Sequence, residues 1–213
     1  MTRPTVAEIN LTAIRKNLKK IKSLSRDSLI YPVVKANAYG HGYKKVVKEI
    51  ENLVDGLCVA TTEEALEIRK ITNKNILCME GPYDQKEFDL LIKNKIDIVF
   101  HSKRQIGFIE RTNDFPKEIK VWIKIDTGMN RLGFKEDEII DTFKQLQVKT
   151  KKIVLMSHFS SAAGTKSSKI KSKKQIDSFN KIEKKLNKMG FNPLSSLCNC
   201  LLYTSDAADE QQR

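Results

Sequence analysis

Short apolar runs and longer amphipathic stretches alternate along the chain. The runs fall at 30–35, 56–60, 76–79, 97–100, 119–125, 153–157 and, more weakly, 194–197, and most are rich in β-branched residues. Between them, 43–53, 62–71, 84–93, 103–110, 136–146 and 172–189 carry apolar residues at helical spacing. Thr61, three residues before Glu64, has the form of a capping box opening the second of these helices. The last helix sets Ile176, Phe179, Ile182, Leu186 and Met189 on one face. Strands alternating with helices predict an α/β fold with parallel pairing through right-handed crossovers. Two architectures fit: a (β/α)8 TIM-type barrel, here with about seven of its eight strands, or an open doubly wound sheet. No G-x-G-x-x-G follows the first run, which weakens the dinucleotide-binding version of the second. Ahead of the repeat stand a short segment, 4–10, without an obvious strand partner, and a helix over 11–24. Leu11, Ile14, Leu18, Ile21 and Leu24 form a continuous stripe on that helix.

A barrel gathers its chemistry at the C-terminal ends of its strands, and the unusual residues stand there. In "YPVVKANAYGHG" (31–42), Val33 and Lys35 share one face of the strand, so Lys35 projects at the mouth. An amine in partly apolar surroundings has a lowered pKa and becomes a nucleophile suited to a Schiff base. Gly40 and Gly42 let backbone approach a ligand, and the Tyr39 phenol can donate to a phosphate. Alone, this stretch also describes a surface lysine beside an ordinary turn. It is not alone. In "VWIKIDTGMNRLGF" (121–134), Trp122 and Lys124 share a face inside an apolar strand, and Arg131 follows beyond an Asp-Thr-Gly turn. Buried lysines are costly unless paired or modified. In "IVLMSHFSSAAG" (153–164), His158 directly follows an apolar run, where a flat imidazole could stack on an aromatic cofactor.

"VVKANAYGHG" and "KIDTGMNRLGF", in this order, closely resemble the signatures of bacterial alanine racemases. These are pyridoxal 5'-phosphate (PLP) enzymes built on a (β/α)8 barrel followed by a β-rich C-terminal domain. The resemblance covers roughly 4–200. It implies that Lys35 bears PLP and serves as the catalytic base on the D-alanine side, and that Tyr39 binds the cofactor phosphate. It further implies that Lys124 is carbamylated and positions Arg131. Arg131 would contact the cofactor's phenolic oxygen and the substrate carboxylate region, and His158 would pack against the pyridine ring. Asn199 falls where the family has an Asn-Ser pair, with Cys200 in the place of a phosphate-binding serine. The reaction implied is interconversion of L- and D-alanine in a homodimer, supplying D-alanine for cell-wall precursors. The second base would be a tyrosine from the partner subunit's C-terminal domain. With no such domain here, the resemblance implies an N-terminal fragment of impaired activity, in which 1–10 lacks the domain it would pair with. The lysine-free stretch 201–213 breaks the style of the chain and reads as foreign to the fold, which occupies 1–200. A single-domain PLP-homeostasis barrel, a decarboxylase of the same barrel class and a racemase of serine or another small amino acid are the rival readings.

Charge and cysteine content change little. The net charge of +13 comes from 39 Lys and Arg, of which only eight are arginine, spread along predicted helix surfaces. Without arginine clusters or interleaved aromatics, no nucleic-acid partner is expected. Cys58 and Cys78 lie in apolar runs, and the Cys198–Cys200 pair lacks partners for a zinc site, so free thiols and no metal are expected. No apolar run is long enough to span a membrane, and no signal peptide opens the chain, so the expected location is cytoplasmic.

Overall fold

The computed structural model describes residues 5–25, 27–161 and 165–198. Asn199, Cys200 and the stretch 201–213 lie outside the described residues. The elements run α1 (Leu11–Leu24), a single-turn α2 (Lys35–Tyr39), α3 (Tyr43–Ile50), β1 (Gly56–Val59), α4 (Thr62–Arg69), β2 (Asn75–Cys78), α5 (Gln85–Lys93) and β3 (Asp97–Phe100). They continue with α6 (Lys103–Glu110), β4 (Val121–Lys124), α7 (Ile139–Lys149), β5 (Ile153–His158), α8 (Lys166–Lys188) and β6 (Leu194–Cys198).

All six strands are parallel and their spatial order is their chain order, β1 to β6. A doubly wound sheet reverses its order at a switch point; this one never does. Successive right-handed crossovers therefore leave the helices on one face, and the sheet covers its other face by curling into part of a barrel. Alternate residues separate the two layers. Leu57, Val59, Ile76, Ile98, Phe100, Val121, Ile123 and Leu155 face the helices within the large core. Cys58, Leu77, Val99, Trp122 and Val154 form a second cluster, joined by Tyr31, Val33, Met79 and Met156. Strand registers set Val99 beside Trp122 and Trp122 beside Val154, so this cluster is a layer of the barrel interior.

The first of the seven expected strands, at 30–35, is not a full strand. It survives as one parallel bridge, Val33 to Cys58, flanked by Val34 N donating to Cys58 O and Cys58 N donating to Pro32 O, both at 2.8 Å. Pairing stops at Lys35 because the chain turns into a left-handed conformation there. The opening segment, 5–10, pairs with no strand among the described residues. Asn10 caps α1, accepting from Ala13 N at 2.9 Å. The apolar stripe of that helix is covered only in part: Leu18 is buried, whereas Ile21 and Leu24 stay exposed.

α8 begins six residues before the expected start, capped by Thr165, whose hydroxyl accepts from Ser168 N. The stretch "TKSSKIKSKK" (165–174) is therefore helical from Lys166 onward. The buried face of α8 keeps the expected Phe179, Ile182 and Leu186 and differs at its ends, where Gln175 is buried beside a half-buried Ile176 and Met189 is exposed. Cys58 and Cys78 are buried free thiols, each pushed up to about 12 chiefly by burial. No described helix is long and apolar enough to cross a membrane.

Candidate active site

The turn that follows the first bridge has unusual backbone. Ala36, Asn37, Ala38 and Tyr39 all have φ between 50° and 55°, and Gly40 has φ 83°. With ψ between 45° and 50° at Ala36–Ala38, this is one turn of left-handed helix built from residues other than glycine. Each such residue costs about 1–2 kcal/mol against its right-handed form, so local bonds must hold the turn. Ala38 N donates to Val34 O, Gly40 N to Ala36 O and Gly42 N to Asn37 O. The Asn37 side chain accepts from Tyr43 N at 3.0 Å, tying the turn to the start of α3. His41 Nδ1 donates to the carbonyl of Ala38 at 2.8 Å. Lys35 stands half-buried at the head of this turn and Tyr39, 60% exposed, at its foot.

At the next lysine, β4 runs straight into the interior. Lys124 is only 7% exposed. Its pKa is held below the ordinary lysine value first by burial, then by the nearby positive charge of Arg131, and further by that of Lys35; Asp126 opposes the shift. That interaction brings three expected residues, Lys35, Lys124 and Arg131, into one electrostatic neighbourhood. The loop carrying Arg131 is built on Asp126, whose Oδ1 accepts from the amides of Gly128, Met129 and Asn130 at 2.9–3.0 Å. The loop closes where Phe134 N donates to Lys124 O at 2.8 Å and Asp126 N to Phe134 O at 3.0 Å. Gly133, at φ 138°, permits this closure, since a Cβ there would sit 2.5 Å from Asp126 N.

His158 ends β5 half-buried, on the face of the strand that carries Val154 and Met156 into the interior. Its carbonyl accepts from Gln175 Nε2 at 3.1 Å, and the same amide donates to Thr127 Oγ1 at 3.2 Å. Gln175 Oε1 accepts from both the amide and hydroxyl of Ser160. This buried glutamine on α8 thereby fixes the loops after β4 and β5 to each other.

Two further groups join the site. His101, directly after β3, donates from Nε2 to Glu80 O at 3.0 Å. Its pKa is lowered by burial, and the charge of Lys124 pushes it the same way. It obeys the same rule that singled out His158, a polar residue closing a buried run, and was legible on that rule. The second is Glu64. The capping box is only half made: Glu64 N donates to Thr61 Oγ1 at 3.4 Å, but the Glu64 carboxylate turns elsewhere. Its Oε2 accepts from Ala60 N at 2.8 Å and its Oε1 from Ala36 N at 2.6 Å.

Lys35, Arg131 and His101 thus all lie within electrostatic reach of Lys124, with Asp126 the carboxylate opposing it and one of that carboxylate's oxygens committed to backbone. A concentration of cations around a half-buried amine suits an anionic ligand with a carbonyl, and an aldehyde-bearing phosphate such as PLP fits that donor set. A separate open cavity of about 550 Å³ lies between the opening segment and the start of α3, lined by Ala7, Ile9, Asn37, His41 and Tyr43. Neither Lys35 nor Lys124 lines it. No group of three metal-ligating side chains occurs among the described residues.

Comparison with known proteins points to one family. The family described as "Alanine racemase, N-terminal domain" matches residues 9–207. An alanine racemase of Haemophilus influenzae is 43% identical over 166 residues, covering 75% of this chain and 45% of the relative. One from Actinobacillus succinogenes is 42% identical over 146 residues, covering 68% of this chain and 40% of the relative. The chain therefore spans about half the length of the curated relatives it matches. Among solved structures, the biosynthetic alanine racemase of Pseudomonas aeruginosa superposes with a TM-score of 0.85 at 31% identity, over 97% of this chain and 56% of that one. The Acinetobacter baumannii enzyme gives 0.83 at 32% identity, over 93% and 55%.

Proposed function

The chain belongs to the alanine racemase N-terminal domain family, and from that premise we propose that it is the cofactor-bearing barrel of a PLP-dependent alanine racemase. The observation that supports the reading is that the turn carrying Lys35 and the loop carrying Arg131 both bring their charges within electrostatic reach of the buried Lys124. PLP, when bound, makes the α-hydrogen of an attached amino acid acidic.

The residues of this chain then have separate tasks. Lys35 Nζ would hold the cofactor, and the same amine would take the α-proton from D-alanine or return it. Tyr39 would donate to the phosphate, and Asn199 is assigned to cofactor binding by its match to the family's Asn-Ser pair alone. Arg131 would contact the cofactor's phenolic oxygen and the substrate carboxylate, and His158 would pack against the ring. Lys124 is the residue best suited to carbamylation, since burial and two neighbouring cations favour its neutral amine. That amine adds to carbon dioxide, forming an N–C bond and releasing one proton. The product places an anion beside Arg131. Incubation with 13C-bicarbonate should then give a carbamate carbonyl resonance that Lys124→Met removes.

The reaction is completed in the family by a base on the opposite face of the substrate, supplied by a partner subunit in a homodimer, and this chain works in the cytoplasm on that reading. The half-reaction is testable without the second base. With PLP and D-alanine in heavy water, deuterium should enter the α-position of D-alanine, and Lys35→Ala should stop it. Equal exchange by the wild-type chain and Lys35→Ala would overturn the assignment.

A further inference from the structure

Glu64 connects three features that have otherwise separate explanations. It lies in the first turn of α4, its carboxylate accepts from the amide that ends β1 at Ala60, and its other oxygen accepts from the amide of Ala36. Ala36 is the residue next to Lys35 and the first of the four left-handed residues. The Ala36 amide cannot be served by the regular pairing of the preceding segment, because pairing ends at Val34. A single carboxylate therefore bridges the strand end to the point where the chain reverses hand.

We infer that Glu64 is a positioning residue for Lys35: by clamping Ala36 N to the end of β1, it holds the left-handed turn and so fixes the direction of the Lys35 amine. Helix capping does not require this arrangement. The cap bond of α4 is made by Thr61 Oγ1, and a capping-box glutamate would return to the amide of Thr61 rather than reach across to another segment. A carboxylate is also the group the geometry demands. It offers two acceptors to two amides, whereas a glutamine would turn an NH2 toward one of them. The clamp itself stands on geometry; its consequence for the cofactor rests on the reading of Lys35 given above.

The test compares Glu64→Gln with Thr61→Ala, which removes the helix cap and leaves the carboxylate in place. Backbone NMR couplings at Ala36–Ala38 report the hand of the turn, and borohydride reduction after PLP incubation reports how readily Lys35 takes the cofactor. In Glu64→Gln the left-handed couplings should be lost and half-maximal labelling of Lys35 should need at least about tenfold more PLP, the loss expected from one charge-assisted hydrogen bond. Adding Ala36→Gly, which accepts positive φ without strain, should restore much of the labelling. Thr61→Ala should lower the thermal midpoint and change neither readout. Left-handed couplings that persist in Glu64→Gln would overturn the inference. Should that variant not fold, amide exchange in the unaltered chain decides: Ala36 and Ala60 must both be protected, and rapid exchange at Ala36 contradicts the clamp. Failure of the wild-type chain to label at Lys35 would instead sink the cofactor reading, and the NMR comparison would still judge Glu64.

Discussion

Lys124 carries a cost that Asp126 relieves only in part while it remains an ammonium. Burial, Arg131 and Lys35 all disfavour its charge. Its folded pKa lies below the unfolded one, so the penalty is complete below the folded pKa and vanishes above the ordinary lysine value of about 10.5. In buffer freed of carbon dioxide, Lys124→Met should therefore be more stable than wild type at neutral pH, by about 1–4 kcal/mol. That advantage should shrink toward pH 10 and also when bicarbonate is added; urea titrations at several pH values would show both trends. His101 behaves differently. Its pKa is depressed chiefly by burial, so the unfolded chain binds its proton first and stability should fall as pH drops below about 6.5. His101→Gln should flatten that part of the profile.

Individual bonds join elements here in ways that periodicity does not reveal. Gln175 links α8 to the loops after β4 and β5 through four hydrogen bonds. Gln175→Leu should cost about 2–4 kcal/mol, since it strands several part-buried partners, and the urea midpoint would register it. Gly133→Ala should cost about 2 kcal/mol or more and loosen the Arg131 loop, because its Cβ would collide with Asp126 N at φ 138°. The apolar pattern located most elements well: α1, α6 and β3 have the expected bounds. It failed where polar groups decide the structure. The start of α8 was hidden because Ser168, Ser172 and Gln175 occupy its buried face, with Ser172 Oγ donating to Ser161 O. The first run was read as a strand through Lys35 because nothing in apolar spacing signals a left-handed turn of alanines. Lys35, Lys124 and His158 were legible as polar residues closing apolar runs. Glu64 was visible only as a cap, because its reach to Ala36 depends on tertiary placement.

Across the whole molecule, a charge of +13 is distributed over lysine-rich surfaces, and the ion pairs present join exposed side chains such as Lys181 and Glu136. Such pairs contribute little, while repulsion among the excess lysines opposes compactness. Raising salt from about 10 to 300 mM should therefore raise the thermal midpoint, as screening relieves repulsion over distances beyond a Debye length of roughly 10 Å. A midpoint that falls with salt would show that paired charges dominate instead. The barrel segment also explains why so few residues define the site. Parallel strands in chain order bring the turn after residue 34, the β3 end, the β4 loop and the β5 end to one rim. The central claim is that this rim holds PLP on Lys35, and peptide mapping tests it most directly. After incubation with PLP and borohydride reduction, the pyridoxyl mass should appear on the peptide containing Lys35 and disappear in Lys35→Ala. Label spread over surface lysines, with none favouring Lys35, would contradict the account.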